Sequence, residues 1–395
     1  MAKVKSKWIC QECGYETAGY LGKCPECGSW GSLVEEVQYT APKPQQASVH
    51  DEFINKDKPE LLKDIHIGEE VRVSTNISEF DRILGGGLVQ GSLILIAGDP
   101  GIGKSTILLQ TSGELCKNDK KVLYVSAEES ASQLKLRAQR LSINSDKLYV
   151  YPQTSMENIK TQIEEVMPDI VVIDSIQAIY SQNIASSAGS VSQIRECTNL
   201  LMHIAKSKNI TVIVIGHVTK DGNIAGPKVL EHMVDAVIYF EGDKYKSYRM
   251  LRSMKNRFGN TSEVGIFEMR TDGLHEVKNP NELFLNERSQ VSAPGSAIIV
   301  TNEGTRPLLV EIQALVGTTP YSTPRRVTNG VDTSRVLQIL AVLEKRVGLN
   351  LSKQDVYVNV MGGIDVSEPS ADLGIALAVA TCARDVVVDP QTVII

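Results

Sequence analysis

The sequence has no apolar segment that could serve as a membrane anchor or an export signal. No run of about 18 apolar residues, the length that a transmembrane helix needs, occurs among its 395 residues. Residues 1–7 are basic and lead into Trp8-Ile9-Cys10, not into an apolar signal-peptide stretch. These absences predict a cytoplasmic protein with no membrane partner.

The sequence also lacks an excess of positive charge. Its 47 Asp and Glu residues outnumber its 41 Lys and Arg residues, and the formal net charge is -6. A nucleic-acid-binding protein needs positive charge only on the surface that it uses for contact. The charge balance therefore neither supports nor excludes a DNA partner.

Four of the seven cysteines form two close pairs near the N-terminus. Cys10-x2-Cys13 and Cys24-x2-Cys27 are separated by ten residues. Two such pairs predict a tetrahedral four-thiolate Zn²⁺ site, with chance spacing or a redox pair as the alternative. So short a segment buries little apolar surface, so the metal would supply most of its folding free energy. The other three cysteines lie in helix-like segments and are expected to be buried apolar residues: Cys116, Cys197 and Cys382.

A phosphate-binding motif follows an apolar strand-like segment at residues 93–97. Eight residues fit G-x4-G-K-[ST]: Gly98, Asp99, Pro100, Gly101, Ile102, Gly103, Lys104 and Ser105. The backbone amides of such a turn and the N-terminus of the next helix favour phosphate groups, which predicts ATP as the ligand. Lys104 should reach the β and γ phosphates, Ser105 should bind Mg²⁺, and Thr106 should lie near the α phosphate.

Acidic and polar side chains follow other predicted strands. Asp174 ends an apolar run and is expected to hold Mg²⁺. Glu128 and Glu129 follow the strand at residues 122–125, and Glu128 is the preferred residue to orient the attacking water. His217 ends the strand at residues 211–215 and is a candidate sensor of the γ phosphate; an ordinary hydrogen-bonded histidine is the alternative.

The chain divides into regions that differ in composition and in the pattern of apolar residues. Residues 1–36 form the predicted zinc module, and residues 37–64 have the Pro, Gln and mixed charges of a linker. From 65 to 285, apolar strands alternate with amphipathic helical segments, which indicates an α/β core whose mostly parallel sheet is covered on both faces. Residues 290–395 predict a smaller α+β unit.

Several segments in the core resemble RecA-like P-loop ATPases. Ser126-Ala127-Glu128 followed by Ile173-Asp174-Ser175 has the RecA order of acidic residues. The whole chain further resembles the RadA (Sms) family of bacterial DNA repair proteins, whose diagnostic pentapeptide Lys-Asn-Arg-Phe-Gly occurs at residues 255–259. That resemblance implies an N-terminal four-cysteine zinc ribbon, a RecA-like ATPase core and a C-terminal Lon-protease-like domain.

The same resemblance implies a function. It suggests a ring-shaped homo-oligomer, hexameric in the family, that acts as a DNA-dependent ATPase and promotes branch migration alongside a RecA-type recombinase. Single-stranded and branched DNA are the implied partners. Lys255 and Arg257 alternate along a strand-like segment and look suited to act in trans on a neighbour's ATP, with a solvated basic strand as the alternative. Two loops, residues 181–192 and 220–228, occupy the places of RecA's DNA-binding loops, and Lys220 and Lys228 could contact phosphates.

The C-terminal region departs from active Lon proteases. Pro369-Ser370-Ala371 matches the nucleophile segment, but Glu368 and Asp372 stand where that segment has glycines. The lysine partner would fall beyond residue 395, which suggests that this domain is cut short. An unpaired serine is a poor nucleophile, so a peptidase is a minor alternative. A nucleotide-dependent assembly switch is the other alternative to the DNA motor.

Overall fold

The fold is described by a computed structural model that covers residues 4–12, 14–39, 72–217, 229–242, 248–279, 281, 293–361, 365–389 and 392–395. Its contacts divide the chain into two compact units, Met1–Glu276 and Val277–Ile395. Within the described ranges, no helix combines the length and the apolar character that crossing a membrane requires.

The N-terminal segment is a small antiparallel sheet. Its strands are β1 (Val4–Cys10), β2 (Glu16–Thr17) and β3 (Leu33–Tyr39), and β1 lies between the other two. The apolar cluster of this segment consists of Cys10, Cys24 and Leu33, with Trp8 and Tyr15 packed against them, and Ile9 is also buried. So little apolar burial agrees with a module that depends on a bound metal for its stability.

The main sheet of the larger unit comes after a short antiparallel pair, β4 (Arg72–Val73) and β5 (Leu88–Val89). The bounds of its strands are β6 (Leu93–Gly98), β7 (Val122–Ser126), β8 (Leu148–Pro152), β9 (Ile170–Asp174), β10 (Thr211–His217), β11 (Ala236–Glu241), β12 (Tyr248–Asn256), β13 (Val264–Arg270) and β14 (Gly273–Glu276). Among the described residues the spatial order is β14-β13-β12-β11-β6-β10-β9-β7-β8. The strands from β11 to β8 pair in parallel, whereas β12, β13 and β14 pair antiparallel.

Helices cover both faces of this sheet. They are α1 (Ser78–Leu84), α2 (Lys104–Lys117), α3 (Ala131–Arg140), α4 (Met156–Val166), α5 (Val191–Lys208) and α6 (Val229–Met233). On β6, Ile94 and Ile96 belong to the apolar cluster that contains residues of α1, α2 and α3. Leu93 and Leu95 belong to the cluster with α4 and α5. Because successive side chains of a strand point to opposite faces, this double covering explains the continuous apolar run, and the α/β fold class is confirmed.

Parallel pairing gives the sheet two chemically different edges. The carboxyl ends of β6, β7, β9 and β10 meet at one edge, where the chain continues into the loop at residues 99–103 and into α2. The amino ends of the same strands and of β11 meet at the opposite edge, where Asp169 and Asp235 directly precede β9 and β11. We refer to these as the nucleotide edge and the opposite edge.

The smaller unit is α+β. Its strands are β15 (Ser296–Glu303), β16 (Arg306–Thr318), β17 (Arg326–Asn329), β18 (Gln354–Val360) and β19 (Val393–Ile394), in the order β17-β18-β16-β15-β19. Helices α7 (Thr333–Val347) and α8 (Asp372–Arg384) accompany them. The Asp332 side chain accepts a hydrogen bond from Arg335 N and so caps α7. Likeness of this unit to Lon proteases stays a prediction.

Candidate nucleotide site and metal centre

The turn at residues 98–105 has the shape of a phosphate cradle. It leaves β6 at Gly98 and enters α2 at Lys104. A Cβ on Gly98 would lie 2.6 Å from the backbone oxygen of Phe240, so no other residue fits there. Gly101 has a φ of +78°, and a Cβ there would meet nothing within 4 Å. The turn is therefore tight against the sheet and open on its outer side, where a phosphate group would fit.

Lys104 lies across this turn. Its side chain is buried, and its Nζ donates hydrogen bonds to Gly98 O at 2.7 Å and to Asp99 O at 2.8 Å. Burial lowers the pKa of Lys104 to about 8, although the nearby charges of Asp174, Asp99 and Glu128 raise it. A bound phosphate would compete with these two carbonyl groups for the ammonium. Ser105 and Thr106, the next residues of α2, are half-buried.

A buried arginine supports the turn from the sheet. The Nε of Arg249 on β12 donates to Ile102 O at 3.2 Å, and both side chains are buried. A buried guanidinium that contacts the backbone of a phosphate-binding turn restricts its movement. The sequence analysis missed Arg249, because its partner lies 147 positions earlier in the chain.

Asp174 lies at the nucleotide edge with a specific hydrogen-bond partner. The hydroxyl of Tyr124, a fully buried residue of β7, donates to Asp174 Oδ2 at 2.7 Å. Burial and the adjacent Asp174 carboxylate raise the pKa of Tyr124 well above its usual value, so the hydroxyl remains protonated as a donor. The hydrogen bond fixes one carboxylate oxygen and leaves the other open to a ligand. The sequence pattern around Tyr124 is that of an ordinary core strand and did not indicate this role.

Glu128 is at the centre of a polar cluster on the same edge. Ser175 Oγ donates to Glu128 Oε1, and His217 Nε2 lies 3.2 Å from the same oxygen. The His217 Nδ1 is buried without a hydrogen-bond partner among the described residues. The Gln177 Nε2 donates to His217 O at 3.4 Å and so connects the ends of β9 and β10. Three predicted residues, Asp174, Glu128 and His217, thus lie at the ends of adjacent strands.

Glu129 is in a different environment. Its carboxylate pairs with Arg137 of α3. Its backbone nitrogen donates a hydrogen bond to Ser126 Oγ at 3.2 Å, within the turn that follows β7. The side chain of Glu128 is 48% exposed and faces the nucleotide edge, where water and substrate have access. The contacts therefore distinguish the environments of Glu128 and Glu129, whereas the sequence alone indicated only a preference for Glu128 as the residue that orients water.

Lys255 and Arg257 are not near the phosphate cradle. The register pairs Ala236, the first residue of β11, with Asn256, which places residues 255–257 at the opposite edge of the sheet. The strand ends at Asn256, so Arg257 lies beyond it and the two cations do not share a strand face as the sequence suggested. Lys255 Nζ donates to Glu231 O at 2.7 Å and Val234 O at 2.8 Å, whereas Arg257 Nη1 donates to Asp235 Oδ1 at 3.2 Å.

The first of the two predicted DNA loops, residues 181–192, is held at its base. The Gln193 side chain accepts from Ser181 N at 2.8 Å and donates to Ser181 O, Ile184 O and Ser186 O. Most of the loop between these contacts is exposed and carries no charged side chain. The second loop, with Lys220 and Lys228, lies outside the described residues.

The thiols of Cys10, Cys24 and Cys27 form a candidate metal centre. Their Sγ atoms all lie within 4.8 Å of one another, and those of Cys10 and Cys27 are 3.7 Å apart. The same turn geometry occurs twice, since Gly14 N donates to Cys10 O and Gly28 N donates to Cys24 O, each at 2.9 Å. Clustered thiols on paired turns fit Zn²⁺. Cys13, the predicted fourth ligand, lies outside the described residues.

The three isolated cysteines differ in burial. Cys116 and Cys197 are buried, as expected, and burial raises the pKa of Cys197 to about 12. Cys382 of α8 is only partly buried, and its Sγ accepts a hydrogen bond from Val316 N of β16 at 3.2 Å.

Comparisons with known proteins give consistent results. Residues 62–223 match the AAA domain family, and residues 8–35 match the rubredoxin metal binding domain family. The DNA repair protein RadA of Bacillus subtilis (strain 168) is 54% identical over 390 residues, which is 99% of this chain and 85% of that protein. The DNA repair protein RadA of Halalkalibacterium halodurans is 51% identical over 395 residues, 100% of this chain and 86% of its own.

A third relative and one solved structure extend this comparison. The DNA repair protein RadA of Listeria monocytogenes is 52% identical over 387 residues, covering 98% of this chain and 84% of that protein. The crystal structure of the KaiC-like protein PH0186 from Pyrococcus horikoshii OT3 aligns with a TM-score of 0.45 and 21% identity, over 52% of this chain and 99% of that chain.

Proposed function

Because this chain belongs to the RadA family of DNA repair proteins, we propose that it is a DNA-dependent ATPase whose ring-shaped oligomer drives branch migration of recombination intermediates. An ATPase core of the RecA-like type and a zinc ribbon are established by the family matches. The dependence on DNA, the ring and the reaction on branched DNA are the proposal.

The position of Arg257 is the observation that carries the proposal. Arg257 N donates to Asp235 O, and Asp235 N donates to Leu93 O at the first residue of β6. The cradle begins at Gly98, the last residue of that strand. At about 3.3 Å per residue, the five steps from Leu93 to Gly98 separate the two sites by roughly 17 Å along the sheet, beyond the reach of an arginine side chain. A contact between Arg257 and a phosphate therefore requires a second copy of the chain.

Each residue of the nucleotide edge has a proposed role. The turn at residues 98–105 and Lys104 hold the ATP phosphates, with Thr106 next to them. Ser105 and Asp174 would hold Mg²⁺, which when bound neutralises phosphate charge. Glu128 orients the attacking water through a carboxylate that Ser175 and His217 contact. Arg257 and Lys255 of a neighbouring copy would stabilise the charge that develops on the γ phosphate.

The other parts of the molecule have roles in the same proposal. Single-stranded and branched DNA would contact the loops at residues 181–192 and 220–228, and a RecA-type recombinase is the proposed partner in a cytoplasmic reaction. We propose domain limits of 1–36 for the ribbon, 37–64 for the linker, 65–285 for the ATPase core and 290–395 for the Lon-like domain. Four cysteines, Cys13 included, would bind Zn²⁺.

The contacts around Ser370 argue against the peptidase alternative. Ser370 Oγ lies 3.4 Å from Glu368 Oε2, a carboxylate oxygen that also accepts a hydrogen bond from Asn302 N at 3.1 Å. Asp372 pairs with Arg335 of α7, whose Nη1 also donates to Ser367 O at 2.6 Å. The start of α8 is therefore occupied by charged pairs, and among the described residues the Ser370 hydroxyl contacts a carboxylate that also binds Asn302 N, not the lysine of a serine–lysine pair.

A mixing experiment tests the in-trans proposal. Lys104→Ala removes the ammonium of the cradle and leaves Arg257 intact; Arg257→Ala does the reverse. Each variant alone should lose at least about a thousandfold in kcat with single-stranded DNA present. An equal mixture of the two should recover a substantial fraction of wild-type activity. At some contacts between neighbouring subunits, the Arg257→Ala subunit then supplies an intact cradle and the Lys104→Ala subunit supplies an intact arginine.

Arg270→Ala is the matched control. Arg270 lies on β13, and its side chain is 56% exposed, close to the 57% of Arg257. This variant should retain wild-type turnover. A mixture that remains as inactive as its components would contradict catalysis in trans. ATPase activity that is indifferent to DNA, with no displacement of strands from a synthetic fork, would favour the assembly switch instead.

A further inference from the structure

Asp235 has an unusual position in the ATPase core. It immediately precedes β11 at the opposite edge of the sheet, and its side chain is 4% exposed. Three donors from separate parts of the chain contact the carboxylate. Leu93 N donates to Oδ2 at 3.0 Å, Lys206 Nζ donates to Oδ2 at 2.7 Å, and Arg257 Nη1 donates to Oδ1 at 3.2 Å. A buried carboxylate is therefore satisfied by one backbone amide and two cations.

The two cations remain accessible although the carboxylate is not. The side chain of Lys206 is 49% exposed and that of Arg257 is 57% exposed. Among the described residues, Arg257 contacts Asp235 through one of its nitrogens, Nη1, whereas a guanidinium has five N–H donors. The remaining donors are directed by the fixed plane of the group and are open to a ligand from outside the chain. Asp235 thus restricts the orientation of Arg257 without using up its hydrogen-bonding capacity.

Neighbouring contacts fix the backbone that carries Arg257. Asn256 Nδ2 donates to Ile83 O at 3.2 Å, and Asn256 Oδ1 accepts from Phe258 N at 2.9 Å. The Lys206 ammonium lies 6.0 Å from the centroid of the Phe258 ring. The backbone on either side of Arg257 is held by these contacts, so Asp235 is the group that sets the direction of the side chain itself.

We infer that Asp235 is a positioning residue, which holds Arg257 of one copy in the orientation that reaches the ATP bound by a second copy. The inference rests on the proposed function, in which Arg257 acts in trans. An arginine at an exposed position would otherwise sample many rotamers, because its long side chain has several rotatable bonds. A hydrogen bond to the buried Asp235 carboxylate restricts the rotamers of Arg257 before the two copies associate.

Asp169 provides a control at the same edge that matches the strand position of Asp235 and is more exposed, with 40% of its side chain accessible. It directly precedes β9, its Oδ2 accepts a hydrogen bond from Lys121 N at 2.8 Å, and its Oδ1 lies 3.8 Å from Lys120 Nζ. Asp169 N also donates to Lys121 O, as Asp235 N does to Leu93 O, each at 2.9 Å. Both aspartates therefore tie a strand to its neighbour and pair with a lysine, but only Asp235 contacts Arg257.

The test compares Asp235→Asn with Asp169→Asn in the full chain. The asparagine oxygen can still accept from Leu93 N, but the charge that orients Arg257 is gone. We expect kcat of Asp235→Asn to fall by about 10- to 100-fold, with the KM for ATP within about twofold of wild type, because the cradle lies at the other edge. Asp169→Asn should change neither constant by more than about twofold.

Mixing and a double variant distinguish positioning from a structural defect. A mixture of Asp235→Asn and Lys104→Ala should recover ATPase activity. The Asp235→Asn subunit supplies an intact cradle, and the Lys104→Ala subunit supplies an Arg257 that Asp235 still orients. In an Arg257→Ala background, Asp235→Asn should cause no further loss, since the residue through which it acts is already absent. The inference would be overturned if Asp235→Asn kept the wild-type kcat or raised the KM for ATP. It would also be overturned if Asp169→Asn lost as much kcat as Asp235→Asn, or if the losses of Asp235→Asn and Arg257→Ala were additive in the double variant.

The outcome also separates this inference from the proposed function. If Arg257→Ala and Lys104→Ala complement each other but Asp235→Asn and Lys104→Ala do not, catalysis in trans stands and the role of Asp235 is wrong. If neither mixture recovers, the proposed function itself fails. Should Asp235→Asn not fold, Asp235→Glu replaces it; this change keeps the charge but displaces the carboxylate by one methylene, and the same fall in kcat is expected.

Discussion

At the scale of single residues, the partner that a side chain meets decides its role. Glu128 and Glu129 are neighbours in sequence, but one carboxylate contacts Ser175 and His217 and the other pairs with Arg137. Pairing with Arg137 occupies lone pairs of the Glu129 carboxylate, so Glu129 is unsuited to orient water. Both positions are glutamate in the sequence, and only their contacts in the folded chain give them different roles.

A pair of amide substitutions tests this difference. Glu128→Gln should lower kcat for ATP by about 100-fold or more, because an amide cannot take up a proton from the attacking water. Nucleotide affinity should stay close to wild type, since the cradle and Lys104 are unchanged. Glu129→Gln serves as the control and should retain kcat within about threefold. Equal losses in both variants, measured by steady-state phosphate release, would contradict the assignment.

Tyr124 offers a second test at this scale. Tyr124→Phe removes the hydroxyl that donates to Asp174 and keeps the ring in the core. We expect the Mg²⁺ concentration for half-maximal ATPase activity to rise by about tenfold, as is common when a partner of a metal-binding group is lost. Tyr149→Phe, at a largely exposed position of β8, is the control. An unchanged Mg²⁺ requirement in Tyr124→Phe would show that the hydroxyl has no influence on the site.

At the scale of elements, the zinc ribbon and the main sheet depend on different forces. The sheet is covered by two large apolar clusters, whereas the apolar cluster of the ribbon contains only Cys10, Cys24 and Leu33 among its buried members. Apolar burial at about 25 cal/mol per Å² stabilises the sheet and cannot stabilise so small a ribbon. Metal binding must supply what the ribbon lacks.

Removal of the metal should therefore unfold one element and spare the other. Both tryptophans of the chain, Trp8 and Trp30, lie in the ribbon, so tryptophan fluorescence reports on this element alone. We expect a strong chelator to change this fluorescence while the ATPase core retains its helical circular dichroism. Cys24→Ser should lose bound zinc, and Cys116→Ser, which lies in α2, should retain it. Equal zinc content in the two variants would exclude the thiol site.

At the scale of the whole molecule, the net charge of -6 does not describe the surface that DNA would contact. The loop at residues 181–192 has no charged side chain, so in the proposed function the phosphate contacts fall to Lys220 and Lys228 of the second loop. Contacts of this kind release counterions and depend on salt, not on base sequence.

Salt dependence measures these contacts directly. Lys220→Ala and Lys228→Ala should each reduce the slope of log affinity against log salt by about 0.7 for single-stranded DNA, the value per phosphate contact. Lys160→Ala, an exposed lysine of α4, should leave the slope unchanged. Fluorescence anisotropy across a salt series gives the three slopes. Identical slopes for all three variants and the wild type would assign the DNA contacts to another surface.

Much of the fold was predictable because the sequence patterns are local. The apolar run of β6 and the glycines after it predicted a strand, a turn and a helix, and the structure has β6, that turn and α2. The Cys pairs predicted two metal-binding turns, and the described hydrogen bonds occur in both. Arg249 and Tyr124 could not be found in this way, since their partners are distant in sequence and their own surroundings read as ordinary strands.

The sequence by itself determined the chemistry that is available: a phosphate-binding turn, acidic residues after strands and paired thiols, all of which depend on short spacings along the chain. Only the tertiary structure decided which groups share a site. Sheet order brought Glu128, Ser175 and His217 together and placed Arg257 against Asp235 at the far edge from the cradle. The physical reason is that strand order and register, set by packing of the whole sheet, fix distances between residues that local patterns cannot relate.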